Sequence, residues 1–285
     1  MSSAPQQPPQ PAPASLGPRW SYAVLILAIL FVLMPFLFWQ STWFGKPLTE
    51  KQLQESFQDE KRPRKIQHAL SQVADKIARG DSSAWRWYPE VVRVARHPVD
   101  EIRITAAWVM GQDNQVPEFR EALRGMLADA NPMAARNAAL SLVRFEDTSG
   151  RDKILEMLRP YAQKAPQGGT LSHRLKLGDA VNPGTLLARL QAAGGEIEAR
   201  SQVPGTVQRW LVADGAAVAA NEEVVLIAPS PEMVWEALRA LFLIGQPEDL
   251  PEVDRYVQGV FTMPDSVREQ ARLTAAAIRK RSGSE

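Results

Sequence analysis

The chain has 285 residues, of which 45% are hydrophobic and 23% charged, so it is long enough to bury more than one hydrophobic core. A formal net charge of +1, without a run of Lys and Arg interleaved with aromatic residues, argues against a nucleic-acid-binding protein. The absence of cysteine excludes disulfides, thiolate metal sites and thiol catalysis.

Two segments of different character open the chain. Residues 1–18 are rich in Pro, Gln, Ser and Ala and carry no charged side chain, which predicts a disordered tail. Residues 19–44 predict a transmembrane helix, because the 18 residues from Tyr22 to Trp39 are uncharged and strongly apolar. No small-x-small cleavage site follows, which disfavours a signal peptide. Residues 20–44 would then contact the lipid bilayer, with aromatic residues at both interfaces.

A helical array is predicted for residues 45–165, where apolar residues recur at helical spacing. The helices repeat, because a shift of 33 residues superposes the apolar stripe of residues 102–110 on residues 135–143. A shift of 134 residues superposes residues 106–118 on residues 240–252. One helical unit therefore occurs both before and after an intervening β-rich segment.

These helices share the motif Pro-x-x-x-(x)-Arg-x-x-Ala, found at residues 98–107, 132–139 and 264–271. The motif resembles that of HEAT repeats, in which helical hairpins stack into a curved array. The resemblance implies helical repeats over residues 45–165 and 230–285, with an extended surface that binds other proteins.

The β-rich segment covers residues 166–229. Its short β-branched or leucine-rich runs alternate with Gly, Asn-Pro-Gly and Asp-Gly, the residues expected in hairpin turns. A shift of 37 residues superposes residues 178–187 on residues 215–224, placing Gly178 on Gly215 and Gly184 on Asn221. One supersecondary unit is therefore predicted to occur twice.

Two motifs suggest the fold of this segment: Gly-Asp-x-Val-x-x-Gly-x-x-Leu at residues 178–187 and Arg-Ser-x-Val-x-Gly-x-Val at residues 200–207. They resemble the biotinyl/lipoyl-type barrel-sandwich domain of carrier proteins and of membrane-fusion adaptors. Carriers attach biotin or lipoate to a lysine at a hairpin tip, but residues 191–197 contain none, and no lysine lies between Lys176 and Lys280. The resemblance therefore implies the fold in an unmodified form, without a cofactor.

Together these patterns predict a mainly α fold: a HEAT-like α-solenoid with an inserted small all-β barrel-sandwich (lipoyl-like) domain and an N-terminal transmembrane helix. Since a lone helical hairpin leaves its apolar face exposed to water, helices within residues 131–159 and 231–258 are expected to stack as neighbours. Leu140 and Leu142 would then face the same groove as Leu241 and Leu243.

The side of the membrane depends on two cues that disagree. Lys46 and Lys51 on one flank, against Arg19 on the other, favour a cytoplasmic soluble part. The short N-terminal tail and the adaptor-like domain favour the periplasm. We expect a single-pass protein of the bacterial inner membrane with a periplasmic soluble part.

No catalytic, cofactor or metal site is predicted. His68, His97 and His173 are far apart and none has a second ligand at the spacing of a zinc site. The candidate partner-binding residues form one consecutive cluster: Trp85, Arg86, Trp87 and Tyr88. The cluster is explained either by packing between helices or by a hot spot for a partner protein.

These features favour a non-catalytic, membrane-anchored scaffold or accessory subunit of a larger bacterial inner-membrane complex. Its partners would be integral-membrane and periplasmic protein subunits, and not nucleic acid. The alternative is an atypical periplasmic adaptor of an export system, which is disfavoured because only residues 191–196 connect the two β halves where adaptors have a long helical hairpin. A carrier or lyase-type enzyme is disfavoured by the missing lysine and cysteine.

Overall fold

The computed structural model describes residues 48–259 and 262–283, together with the helical residues 22, 25–31 and 33–34. The chain forms two units, Met1–Thr49 and Glu50–Glu285. The helices and strands named below belong to the second unit.

Among the residues that the structure describes, no helix is both long and apolar enough to cross a membrane. The longest described helix, Asp265–Arg281, has 17 residues and many charges, whereas a span needs about 20 apolar residues. This finding contradicts the predicted transmembrane helix at residues 19–44, and with it the single-pass inner-membrane and periplasmic localisation. Most of that segment, and the predicted tail at residues 1–18, lie outside the described residues.

The helices of the second unit follow one another with short connections. They are, in chain order, α1 (Glu50–Gln58), α2 (Pro63–Ala78), α3 (Tyr88–Val94), α4 (Asp100–Met110), α5 (Pro117–Met126), α6 (Pro132–Val143), α7 (Arg151–Glu156), α8 (Pro231–Ile244), α9 (Leu250–Val257) and α10 (Asp265–Arg281). Short 3₁₀ helices at Ser82–Trp87, Thr148–Gly150 and Pro247–Asp249 precede α3, α7 and α9. Proline begins several of the α-helices, at a position whose N–H has no partner within the helix.

The sequence repeat corresponds to successive helices that contact one another. Helix α4 packs on α6, and α6 packs on α8, although the β-rich segment separates the last two in the chain. The equivalent alanines of these three helices, Ala106, Ala139 and Ala240, are all buried. Small side chains at these positions let the helix axes approach closely, so the repeat in the sequence is also a repeat in the packing.

One hydrophobic core joins the helices on both sides of the β-rich segment. It combines Ile154 and Leu158, from α7 and the residues after it, with Val234 and Leu238 of α8 and with further residues of α9 and α10. The predicted stacking of helices 131–159 on helices 231–258 is therefore confirmed.

The side-chain detail of that prediction is only partly right. Leu142 and Leu241 are fully buried and Leu140 packs against the shared core, but the Leu243 side chain is 62% exposed. Leu243 lies two residues after the buried Leu241 on α8, which places it about 200° around the helix on the solvent side.

The strands form two separate antiparallel sheets of four strands each. They are, in chain order, β1 (Tyr161–Lys164), β2 (Gly169–His173), β3 (Ala180–Val181), β4 (Leu186–Ala192), β5 (Gly195–Arg200), β6 (Gly205–Trp210), β7 (Ala217–Val218) and β8 (Glu223–Pro229). One sheet has the order β1-β8-β6-β3 and the other β5-β4-β2-β7. Residues of both sheets, including Leu171, Leu190, Val207 and Ile227, share one hydrophobic core.

The predicted duplication is confirmed by the strands. A shift of 37 residues carries β3 onto β7 and β4 onto β8, residue for residue. Exchanging equivalent strands converts one sheet order into the other, so each sheet takes strands from both halves. The turns agree as well, since Gly178 and Gly215 have φ angles of 88° and 79°, and Gly184 and Asn221 have 88° and 64°. These left-handed conformations explain the glycines and the asparagine in the repeated motif.

The predicted fold class is wrong in its description of the β part as well as in its membrane helix. The described chain is a mixed fold of helices and two small open sheets, not a mainly α array with an all-β barrel. Neither sheet closes on itself, since the two-residue strands β3 and β7 are edge strands that pair on one side only. The helical and β parts are also joined, because Met133 of α6 packs against both cores. In addition, β1 begins at Tyr161, ahead of the expected start of the β domain at residue 166.

Arginine–aspartate pairs bridge successive helical units. Each joins an arginine on a helix to an aspartate in a following connection: Arg103 to Asp129 at 2.7 Å, Arg124 to Asp147 at 2.7 Å, and Arg151 to Asp249 at 2.8 Å. All three aspartate side chains are less than one tenth exposed. The pairs therefore connect neighbouring units in addition to the apolar contacts.

Replacing Asp129 by asparagine should reduce stability at neutral pH by about 2 kcal/mol, because a buried charged hydrogen-bond acceptor is lost. Hydrogen bonds from Arg103 outweigh the opposing effect of burial and, with the N–H of Asn131, lower the pKa of the Asp129 carboxyl. A carboxyl with a lowered folded pKa stabilises the fold above its unfolded pKa of about 3.9, and this stability is lost as the pH falls through the folded pKa.

Urea unfolding between pH 3 and pH 7 measures the effect, and the acid-dependent loss of stability should be smaller in Asp129→Asn than in the unaltered chain. The matched control is Asp265→Asn, since Asp265 pairs with Arg268 but its side chain is 93% exposed. Equal pH profiles for Asp129→Asn and the unaltered chain would show that the Asp129 pair does not contribute.

Candidate functional site

The predicted partner-binding cluster divides between the interior and the surface. Trp87 is buried, whereas the Trp85 side chain is 67% exposed and Arg86 beside it is also exposed. The local structure is the 3₁₀ helix Ser82–Trp87, in which residues three apart lie on the same side. Ala84 and Trp87 take the buried side, and Trp85 and Arg86 are therefore left on the outside.

The buried members hold this short helix in place. The Trp87 ring stacks on Phe57 of α1 with their centroids 5.8 Å apart. The Tyr88 ring lies 4.6 Å from Phe119 of α5, and its hydroxyl donates to Asp113 Oδ2 at 2.7 Å. Burial, followed by the hydrogen bond to Asp113, raises the pKa of Tyr88, so the phenol stays protonated as a donor. Packing between helices thus explains Trp87 and Tyr88.

The exposed members form what we call the Trp85 surface, consisting of Trp85 and Arg86. The Arg86 guanidinium lies 5.9 Å from the Trp87 ring centroid and 3.7 Å from a carboxylate oxygen of Glu50. The Arg86 side chain is nevertheless 69% exposed, so the guanidinium stays accessible to a partner. The start of the short helix is fixed by Asp81, whose carboxylate accepts the Ser83 N–H at 2.9 Å. An exposed tryptophan and arginine on an immobilised turn are typical of a protein-binding hot spot.

The three histidines lie on different elements and do not come together. His97 is buried, and its Nδ1 accepts the Val99 N–H at 3.0 Å. Burial, with the nearby charges of Arg93 and Arg103, lowers the pKa of His97. His173 stacks on Trp210 at 3.7 Å and its Nε2 lies 3.1 Å from the Val212 carbonyl oxygen.

Within the described ranges, no group of three or more His, Asp or Glu side chains is arranged to hold a metal ion. His68 lies on α2, an element that contains neither of the other two histidines. The geometry therefore assigns the three histidines no common site.

The hairpin between β4 and β5, where the predicted lipoyl-like resemblance would place a carrier lysine, ends in a tight turn. The strands pair from Leu186 with Arg200 to Ala192 with Gly195, so only Ala193 and Gly194 lie between them. Gly195 has a φ angle of 117°, which a residue with a side chain rarely adopts. The long helical hairpin that the export-adaptor alternative requires is not found at this place in the described chain.

A second candidate site, which the sequence did not predict, lies between α6, α7 and β1. We call it the Arg136 cleft, a cavity of about 540 Å³ lined by Tyr161, by small residues and by the charged residues Asp129, Arg136, Lys153, Glu156, Arg159, Lys164 and Glu223. Arg136 is only 4% exposed although it lines the cavity. Its burial lowers its pKa, against the effects of Tyr161 and Glu156.

The signal for Arg136 in the sequence was weak. It is the arginine of the second Pro-x-x-x-(x)-Arg-x-x-Ala motif, where it stands among the buried alanines Ala134, Ala135, Ala138 and Ala139. An arginine on an alanine-rich buried face needs a partner, and the motif alone does not show which group supplies it.

Comparisons with known proteins do not add to these observations. No model of a known protein family matches the chain. A search of the curated proteins also found no match.

Proposed function

We propose that this chain is a non-catalytic scaffold subunit that binds partner proteins through the helical part of its surface. The observation that supports this most is the Trp85 surface. The Trp85 side chain is 67% exposed, so most of its apolar surface is in contact with water, which is unfavourable. No packing contact of the described fold explains a tryptophan at this position.

The geometry is suited to binding because the Trp85 surface is held on a rigid base. The stacking of Trp87 on Phe57 and the hydrogen bond from Tyr88 to Asp113 hold the two residues that follow the exposed pair. A partner that covers Trp85 and Arg86 therefore does not need to order a mobile loop, and the entropy cost of binding is small. Tryptophan and arginine are also the residues most enriched among interface hot spots.

The resemblance to HEAT repeats agrees with this role but remains a prediction. The arginine–aspartate pairs and the shared apolar core join helices α4 to α10, and α2 and α3, on either side of the Trp85 surface, pack on α4. Such a body presents an extended helical surface to other proteins. The Trp85 surface would be one contact point on it.

Affinity capture of the full chain from its native cells tests the proposal. The double variant Trp85→Ala/Arg86→Ala should reduce the recovery of the specific partner, since a hot spot worth about 2 kcal/mol corresponds to about 30-fold in affinity. The matched control is Leu177→Ala, which removes another exposed apolar side chain (63% exposed) from the β part. A set of captured proteins that is the same for all three chains would contradict the proposal.

A further inference from the structure

Arg136 is a buried cation without an anionic partner. Its Nη1 donates to Met233 Sδ at 3.2 Å, and its guanidinium lies 5.6 Å from the Tyr161 ring centroid. Met233 Sδ is its sole hydrogen-bond acceptor among the described residues, and no carboxylate there lies within ion-pair distance of it. The other interior arginines of the repeat, Arg103 and Arg151, each hold an aspartate instead.

The contacts of Arg136 in this state are poor substitutes for an anion. A thioether sulfur is a weak acceptor, and the face of an aromatic ring attracts a cation without accepting a directed hydrogen bond in the guanidinium plane. A guanidinium is satisfied by two parallel hydrogen bonds to one carboxylate or phosphate. Removing the charge from water without such a group is unfavourable, so the site is ready to receive one.

Most of the other charges of the cleft have ion-pair partners, whereas Arg136 has none among the described residues. Lys153 pairs with Glu156 at 3.0 Å, and Arg159 pairs with Glu252 at 2.9 Å, a carboxylate that it shares with Arg255. Asp129, which also lines the cleft, is held by Arg103. A negative group that enters the cleft would therefore meet an excess of positive charge, with Arg136 as the cation that lacks a carboxylate.

The remaining two charged side chains lie together at β1. Lys164 and Glu223 are partners in the strand register between β1 and β8, and both line the cleft. They balance one another in charge at the border of the cavity. The guanidinium of Arg136 is therefore the most specific feature that the cleft offers to a ligand.

The shape of the surroundings favours a peptide over a small ion. Strand β1 is the edge of its sheet, so one side of its backbone pairs with β8 and no described strand pairs with the other side. Tyr161, Ala162 and Lys164 line both the Arg136 cleft and a neighbouring cavity of about 860 Å³. An extended segment of another chain can lie along such an edge, with its side chains in successive cavities.

We propose that the Arg136 cleft binds a carboxylate group carried by an extended peptide segment of a partner protein, and that Arg136 receives it through a bidentate pair of hydrogen bonds. This inference rests on the proposed function, because it assigns a second contact point to the same scaffold. The carboxylate belongs either to an acidic side chain or to a chain terminus, and the choice of probes distinguishes these sources.

The test measures the binding of three short synthetic peptides of alanine, valine and glutamine to the full chain by calorimetry. One carries a central glutamate and a blocked C-terminus, the second a free C-terminal carboxylate without glutamate, and the third neither. Arg136→Met keeps a long side chain of similar shape but removes the charge. Arg239→Met is the matched control, since Arg239 also covers an aromatic ring, Trp235, at 4.8 Å, but is exposed and outside the cleft.

We expect at least one carboxylate peptide to bind, the neutral peptide to bind at least tenfold more weakly, and Arg136→Met to weaken the carboxylate peptide by at least tenfold. Arg239→Met should have no effect. Equal binding of the neutral peptide, unchanged binding to Arg136→Met, or no binding of either carboxylate peptide at millimolar concentration would overturn the proposal.

The stability of the unliganded variants distinguishes a binding role of Arg136 from a purely structural one. If the cleft is a binding site, Arg136→Met should unfold at the same urea concentration as the unaltered chain or a higher one, because it removes a buried unpaired charge. Should Arg136→Met not fold, Arg136→Lys decides by the same titration, since lysine keeps the charge but lacks the planar fork, and it should bind at least threefold more weakly.

The two proposals fail in different ways. If Arg136→Met no longer binds the carboxylate peptide, while Trp85→Ala/Arg86→Ala leaves partner capture unchanged, the result would support peptide binding by the cleft. It would also contradict the proposed role of the Trp85 surface. Unchanged peptide binding in Arg136→Met, with partner capture lost in the Trp85 variant, would contradict the cleft alone.

Discussion

Replacing Arg151 by alanine should lower the free energy of unfolding by about 3 kcal/mol, because it leaves a buried carboxylate without its cation. The Asp249 side chain is fully buried, and both of its oxygens accept from Arg151 Nε at 2.9 Å. Without Arg151, the N–H of Gln246 at 2.8 Å is the remaining donor to this carboxylate among the described residues. The pair connects α7, before the β-rich segment, to the turn before α9, after it.

Urea unfolding at pH 7 measures this loss. The matched control is Arg272→Ala, whose partner Glu269 is on the same helix and largely exposed, so its removal should change the free energy by less than about 0.5 kcal/mol. If Arg151→Ala and Arg272→Ala were equally stable, the connection between the two helical parts would not depend on Asp249.

Replacing Gly205 by alanine should destabilise the chain by about 3 kcal/mol, because the added methyl group has no space between β6 and β8. A Cβ atom at this position would lie 2.1 Å from the Ala228 carbonyl oxygen and 2.8 Å from Ile227 Cγ2. The carbonyl is part of the paired strand β8 and cannot move without separating the two strands. The close approach of β8 therefore explains why glycine stands at position 205 in the Pro-Gly-Thr-Val sequence.

The control for Gly205→Ala is Gly125→Ala in α5, where an added Cβ meets no atom within 4 Å. Alanine is the better helix former, so this variant should be as stable as the unaltered chain or more stable by up to about 1 kcal/mol. Thermal unfolding followed by circular dichroism compares the two. A melting temperature of Gly205→Ala within a degree of that of Gly125→Ala would contradict the close packing of β6 on β8.

The local pattern of the β part could be predicted from the sequence because its signals are local. Glycines and an asparagine at fixed spacing mark left-handed turns, and the residues between them have few alternatives. The duplication then predicts that two equivalent halves of this segment pack together. It does not predict that the strands separate into two open sheets, since this depends on pairing between strands far apart in the chain, such as β1 with β8.

The candidate sites were predicted less well, for two physical reasons. The cluster at Trp85 is visible in the sequence, but which residues face outward depends on a 3₁₀ helix, whose three-residue period differs from that of an α-helix. The environment of Arg136 depends on Met233, which is 97 residues away in the chain, and on Tyr161 of β1. A pattern within one helix carries no information on such distant neighbours.

The most direct test of partner binding at the Trp85 surface is site-specific photo-crosslinking in the native cells, with a benzophenone amino acid in place of Trp85. If the chain binds a partner through the Trp85 surface, position 85 should give a discrete crosslinked protein, and the same probe in place of the exposed Leu177 should not. The Arg86→Ala variant should reduce the crosslink at position 85. Absence of a crosslink at position 85, or the same products from positions 85 and 177, would contradict the proposal that this surface binds a partner protein.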